Sequence, residues 1–207
     1  MRLIRFTIII SFIFLTASVF AADLDNVLAN LQSYSANFKE TVLGEKKHVI
    51  SESFGTMALV RPGHFRWDTT KPTAQKIIAD GHRLYIYDID LAQVTIKKLD
   101  VAHLGDSPAL LLAAHQNLNE KYHIQNCTTT SGKCFELTPK STQSDFKHIV
   151  IFTDVDNVID AMRLVDSLGQ ETNIQFSHIK MNPTLSATLF QFKPPKNVDV
   201  IQDNARA

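Results

Sequence analysis

The sequence predicts a mainly β (α+β) protein, an incomplete antiparallel β-barrel with an α-helical lid covering an apolar cavity. Three observations carry this expectation. Short runs of alternating apolar and polar residues recur along most of the chain, broken by turn residues at close intervals. Helical periodicity is confined to a few short stretches. One of these, residues 109–114 (Ala-Leu-Leu-Leu-Ala-Ala), is apolar on every side and must therefore be buried. An antiparallel sheet of this extent has to curl or close. If it closes only in part, apolar helices are the natural cover for its inner face.

The first residues form a leader rather than part of that fold. Arg2 and Arg5 precede an apolar run over residues 6–19, and Val19-Phe20-Ala21 supplies a small residue at the cleavage position. The run is shorter than the roughly 20 residues needed to span a bilayer. The expectation is a cleaved signal peptide over 1–21, with cleavage after Ala22 as the alternative. Residues 22–207 then form a single domain. The cysteines, Cys127 and Cys134, lie far from this site, so lipidation there is not expected.

The mature chain opens on a helix. Leu24, Val27, Leu28 and Leu31 make one apolar stripe, with Asp23 and Asp25 near its start, where carboxylates favour the helix dipole. Ala36, Phe38 and Val42 then stand at even spacing. Strands are predicted over 54–60, across Phe65 and Trp67, over 75–79, 83–87 and 93–99. Arg61-Pro62-Gly63, Lys71-Pro72, Asp80-Gly81 and residues 88–90 punctuate them. Asp106-Ser107-Pro108 signals the start of the apolar helix. Further strands are expected over 122–126, 134–138, 147–153, 161–165, 172–180 and 188–192. Cys127 and Cys134 flank Thr-Thr-Thr-Ser-Gly-Lys and read as one disulfide stapling a hairpin that turns near Gly132.

Lysine plus arginine total 21 and aspartate plus glutamate 21, so loss of Arg2 and Arg5 leaves 19 against 21, about −2. Such balance argues against a nucleic-acid partner, which calls for a basic excess. The eight histidines form no HExxH and no close pair, and no nucleophile elbow, phosphate loop or dinucleotide fingerprint is present. No catalytic, metal or cofactor site is expected. Asp88 and Asp90 read as solvated loop residues rather than paired catalytic carboxylates.

Two features stand out. Phe65 and Trp67 share one strand face beside the Arg-Pro-Gly turn. They are either barrel core or the wall of a ligand cavity, and the two readings merge if the core is the cavity. Arg61 closes an apolar stretch (Met57, Ala58, Leu59, Val60) and must find acceptors if it nears the interior. It is either a solvated turn residue or a lock that reaches helix carbonyls near Leu112 and Ala113.

The order of motifs resembles one family. Arg61-Pro62-Gly63-His64-Phe65-Arg66-Trp67 is similar to its RPxxFxW segment. Gln75-Lys76-Ile77-Ile78-Ala79-Asp80-Gly81 with Leu84-Tyr85-Ile86-Tyr87-Asp88, then Leu91-Ala92-Gln93-Val94, resemble its next block. Ser107-Pro108-Ala109-Leu110-Leu111-Leu112, Asp166-Ser167-Leu168-Gly169-Gln170 and Phe190-Gln191-Phe192-Lys193-Pro194-Pro195 with Val198-Asp199-Val200 complete the series. Over residues 24–200 the chain resembles the outer-membrane lipoprotein carrier (LolA) family. The resemblance implies a monomeric periplasmic chaperone for triacylated lipoproteins. Cargo would come from an inner-membrane ABC transporter of the LolCDE type and go to an outer-membrane receptor of the LolB type. It implies an acyl-chain cavity, here Met57, Leu59, Phe65, Trp67, Leu110 and Leu111, and a lid lock of Arg61 with Leu112 and Ala113. The alternatives are a receptor or sensor of the same fold, which a cleavage-site cysteine or a second domain would favour, and a periplasmic hydrolase, which needs a nucleophile and base.

Overall fold

The computed structural model describes residues 22–44, 46–99, 108–114, 118–142 and 144–202. The expected leader and Asp106-Ser107 lie outside them. Helix α1 (Ala22–Asn30) leads into β1 (Ser33–Leu43), β2 (Val49–Val60), β3 (His64–Lys71), β4 (Gln75–Asp80), β5 (Arg83–Asp88) and β6 (Gln93–Lys98). A 3-10 helix (Pro108–Ala113) and the short α2 (Leu118–Lys121) follow. Then come β7 (Tyr122–Thr129), β8 (Gly132–Pro139), β9 (Phe146–Asp154), β10 (Ile159–Asp166) and β11 (Glu171–Met181). A second 3-10 turn (Ala187–Phe190) and β12 (Asp199–Gln202) complete the described chain.

The twelve strands of the described residues belong to one sheet in the order β12-β6-β5-β4-β3-β2-β1-β11-β10-β9-β8-β7. Two hairpin meanders, β2 to β6 and β7 to β11, meet on opposite edges of β1. Ser33 to Leu43 pairs with Val60 to Val49 on one side, and Tyr34 to Leu43 with Met181 to Glu171 on the other. Every pairing is antiparallel except β12 with β6, which is parallel. β7 and β12 end the order without pairing to each other, so the barrel is incomplete.

Alternation along the strands assigns the two faces. Tyr34, Ala36 and Phe38 of β1, Met57 and Leu59 of β2, Phe65 and Trp67 of β3 and Ile77 and Ala79 of β4 join one buried apolar cluster. Across β1 the same cluster takes in Ile174 and Phe176, Met162 and Leu164, Ile149 and Ile151, and Phe135 and Leu137. Helix α1 adds Leu24, Val27 and Leu28, and the 3-10 helix adds Ala109 to Ala113. The helices therefore cover this inner face.

The opposite face carries a smaller apolar layer. Ile78, Tyr85, Val94 and Phe190 are buried but stand apart from the main cluster. The turn Ala187–Phe190 lies against β3 and β4. Phe190 meets the His64 ring edge-on at 5.7 Å, and Arg66 Nη1 donates to Leu189 O at 3.0 Å. Phe192 packs beside Tyr85, with ring centroids 5.5 Å apart.

Several elements differ from the sequence expectation. The apolar helix is a 3-10 helix ending at Ala113. β2 starts at Val49 rather than at 54, and α2 and β12 carry no expected element. Residues 188–192 do not form a strand: Ser186 caps a 3-10 turn, accepting the Thr188 N–H. The β7–β8 hairpin sets Cys127 directly opposite Cys134, and the two are joined by a disulfide.

Candidate functional site

The interior wall is built by register. Met57 stands opposite Trp67 and Leu59 opposite Phe65, while Trp67 and Phe65 face Ile77 and Ala79 on the next strand. All six are buried, Leu59, Phe65 and Ala79 completely. Phe38 lies flat on Trp67, with ring centroids 3.6 Å apart and planes at 17°. That stack depends on Gly55, which is opposite Phe38 on β2. A Cβ there would lie 2.7 Å from the Phe38 ring and 2.0 Å from Asp68 O. Together these side chains give a predominantly apolar wall, whose large rings bury most of its area.

The 3-10 helix Pro108–Ala113 closes over this wall. Leu110, Leu111 and Leu112 are each at most 2% exposed and belong to the same cluster as Phe65 and Trp67. A six-residue helix of this kind has little stability of its own, and its position comes from side-chain burial and from ties at its end.

Those ties converge on the Arg61-Pro62-Gly63 turn. The Gly63 N–H donates to Ala113 O at 2.8 Å, and Arg61 Nη2 donates to Ala114 O at 2.9 Å. Arg61 Nη1 donates to Leu28 O of α1, and the Arg61 backbone N–H donates to Gln32 O at 2.8 Å. One guanidinium thus bridges the carbonyl ends of two helices, where unsatisfied acceptors and partial negative charge favour a cation. Burial lowers the Arg61 pKa, but a guanidinium does not discharge in a protein. The turn requires Gly63, whose φ is +76° and which packs closely on Gly81.

The sequence places the Arg61 acceptors near Leu112 and Ala113. In the structure the guanidinium reaches one residue farther, to Ala114, and also to Leu28. The Ala113 carbonyl goes to Gly63, and Leu112 contributes its side chain to the core. Leu28, Gly63 and Ala114 carry no site signal in the sequence beyond their place at helix ends and in a turn, because the groups involved are backbone atoms.

A cleft of 770 Å³ crosses β1, β2 and β11. Polar side chains (Asn37, Lys39, Gln175) and aromatic ones (Phe38, Phe54, Phe176) line it together. Among the described residues no three His, Cys, Asp or Glu side chains gather where a metal ion would bind. Asp88 is engaged by Gln75 Nε2 at 2.7 Å.

Fold and site define a class: an open half-barrel whose apolar inner face is covered by short helices. Comparison with known proteins gives the family. The model of the outer membrane lipoprotein carrier protein LolA matches residues 29–193, and the chain belongs to that family. It is 36% identical over 203 residues to a Nitrosospira multiformis protein named outer-membrane lipoprotein carrier protein, covering 96% of this chain and 98% of that one. A Legionella pneumophila protein of the same name is 41% identical over 181 residues, covering 86% and 88%. The fold is also similar to the crystal structure of an uncharacterized conserved protein from Thermus thermophilus. That match has a TM-score of 0.52 at 15% identity and covers 86% of this chain and 96% of that one.

Proposed function

We propose that the chain is a non-enzymatic periplasmic chaperone that binds the acyl chains of triacylated lipoproteins and carries them from the inner to the outer membrane. The observation that carries the reading is the lid. Leu110, Leu111 and Leu112 fill an apolar interior, yet the lid backbone is tied to the sheet only through Gly63 and Arg61 among the hydrogen bonds described above. Displaced outward, the same helix leaves a hydrocarbon wall of Met57, Leu59, Phe65 and Trp67.

The energetics suit a carrier. Three acyl chains of about 15 methylenes, at about 0.8 kcal/mol each, put roughly 36 kcal/mol of transfer free energy at stake in water. Such cargo needs an apolar enclosure. It also has to leave, and a lid whose closure competes with the ligand weakens the grip. Arg61, bonded to Leu28 and Ala114, and the Gly63 tie to Ala113 form the lock in this reading. Residues 1–21 act as a cleaved leader, and 22–207 work as one monomeric domain. Cargo arrives from an ABC transporter of the LolCDE type and leaves to a receptor of the LolB type. No bond is made or broken, so no cofactor takes part.

The test is release of cargo. Purified protein starting at Ala22 is added to spheroplasts holding newly made triacylated lipoprotein. A soluble one-to-one complex in the supernatant is the expected result. A folded protein that binds acyl probes but releases no lipoprotein overturns the carrier role in favour of a sensor or scavenger.

A further inference from the structure

Along β1 the inner face runs Tyr34, Ala36, Phe38, Glu40, Val42. The first three are buried in the apolar cluster, whereas Glu40 and Val42 are half-buried. Glu40 stands opposite Ser53 on β2 and opposite Ile174, fully buried, on β11. It therefore marks the rim of the interior, one step outward from the Phe38–Trp67 stack and away from the Arg61 end. Among the described residues its one hydrogen bond comes from the Ser53 hydroxyl, at 3.3 Å. Burial pushes its carboxyl above the ordinary range, and Ser53 offsets part of that.

A carboxyl on a hydrocarbon wall costs desolvation that a valine or leucine would avoid. One long bond to a neutral hydroxyl is a poor return for that cost. A carboxylate offers about four acceptor positions, so most of its capacity is unused by the described residues. The cargo of the proposed function brings matching chemistry to this place. An N-acylated, S-diacylglyceryl cysteine joins its chains at a head that carries an N-acyl amide N–H and the following peptide N–H. When the chains enter the interior, that head stops at the rim and its N–H groups lose water. Each then needs an acceptor.

We propose that Glu40 is the polar anchor for the acylated head of the cargo, its carboxylate accepting the amide N–H groups while the hydrocarbon lies behind Phe38. The inference rests on the carrier reading and adds a second determinant: the interior recognises hydrocarbon, and Glu40 recognises the amide next to it. Ser53 keeps the carboxylate aligned along β2 until cargo arrives.

The test uses the protein from Ala22 onward with two probes, a tripalmitoylated cysteinyl-serine lipopeptide and a fluorescent fatty acid that has no amide. Glu40→Leu is expected to weaken lipopeptide binding about tenfold, the effect of losing one hydrogen bond to a charged group. It should leave fatty-acid binding unchanged or tighter and the thermal midpoint no lower. Glu40→Gln retains an acceptor carbonyl and is expected to stay within about threefold of the parent. Lipopeptide binding by Glu40→Leu equal to the parent overturns the proposal, as does an equal loss for both probes, which would mark a structural role. If the parent binds the fatty acid but not the lipopeptide, the carrier reading itself falls and takes the anchor with it.

Discussion

Replacing Arg61 by leucine removes two charge-assisted hydrogen bonds, to Leu28 O and Ala114 O, and leaves the Gly63 tie in place. Each such bond contributes about 1.5–3 kcal/mol in a dry setting. Arg61 is half-buried, so water recovers part of each, and a net loss of about 2–3 kcal/mol for the closed lid follows. At about 1.4 kcal/mol per factor of ten, the open form gains roughly 30- to 150-fold. A ligand that binds only the open form no longer spends that energy on opening the lid, so its apparent affinity rises by the same factor while the closed form dominates. Arg61→Leu is therefore expected to take up acyl cargo, hold it more tightly and hand it over more slowly. Amide exchange at Gly63 and Ala114, whose N–H groups bond Ala113 O and Leu111 O, reports lid opening directly. Fluorescent fatty-acid titration gives the affinity. Unchanged exchange at these amides together with unchanged affinity would refute the lock.

Three further outcomes follow from the same geometry. Gly55→Val forces a Cβ against Asp68 O and the Phe38 ring, and should lower unfolding free energy in urea by at least about 2 kcal/mol while disturbing Trp67 fluorescence. Removing the Cys127–Cys134 disulfide, with a sequence separation of 7, should cost about 2–3 kcal/mol by loop-closure entropy and leave fatty-acid affinity unaltered. Burial alone would raise the Asp80 pKa, but bonds from the Arg83 and His82 N–H groups and the Tyr85 hydroxyl outweigh it and hold the pKa below its ordinary value. Its stabilising effect is thus present above the ordinary carboxylate range and lost as pH falls through the depressed value. Asp80→Asn should show a shallower loss of stability in acid denaturation.

The strands are legible where one face is apolar and the other carries polar side chains. Phe65 and Trp67 alternate with His64 and Arg66 because β3 has the interior on one side and Phe190 with Leu189 O on the other. The lid is legible for a related reason: six apolar residues in a row have no polar face to expose. β12 leaves no such trace, because all four of its residues are exposed and its partner β6 lies a hundred residues upstream in the chain. Residues 188–192 hold β-favouring Thr188, Phe190 and Phe192, yet Ser186 caps a 3-10 turn over Ala187–Phe190, and a serine two residues before Thr188 is the signal that marks it. Arg61 is conspicuous as a cation at the end of an apolar run. Its acceptors are backbone carbonyls, which have no identity in a sequence, so only the fold assigns them to Leu28 and Ala114. Glu40 is hidden by its neighbours Lys39 and Thr41, which make it look like part of a solvated strand end.

The central claim is that cargo hydrocarbon occupies the interior beneath the lid. The direct measurement is photo-crosslinking in cells that incorporate radiolabelled palmitate, with a photoreactive phenylalanine analogue placed at Phe65 or Leu110. Exposed Leu168 and Ile201 serve as controls. The account predicts palmitate-labelled lipoprotein adducts at Phe65 and Leu110 and none at Leu168 or Ile201. Adducts at the exposed positions, with none at Phe65 or Leu110, would contradict it.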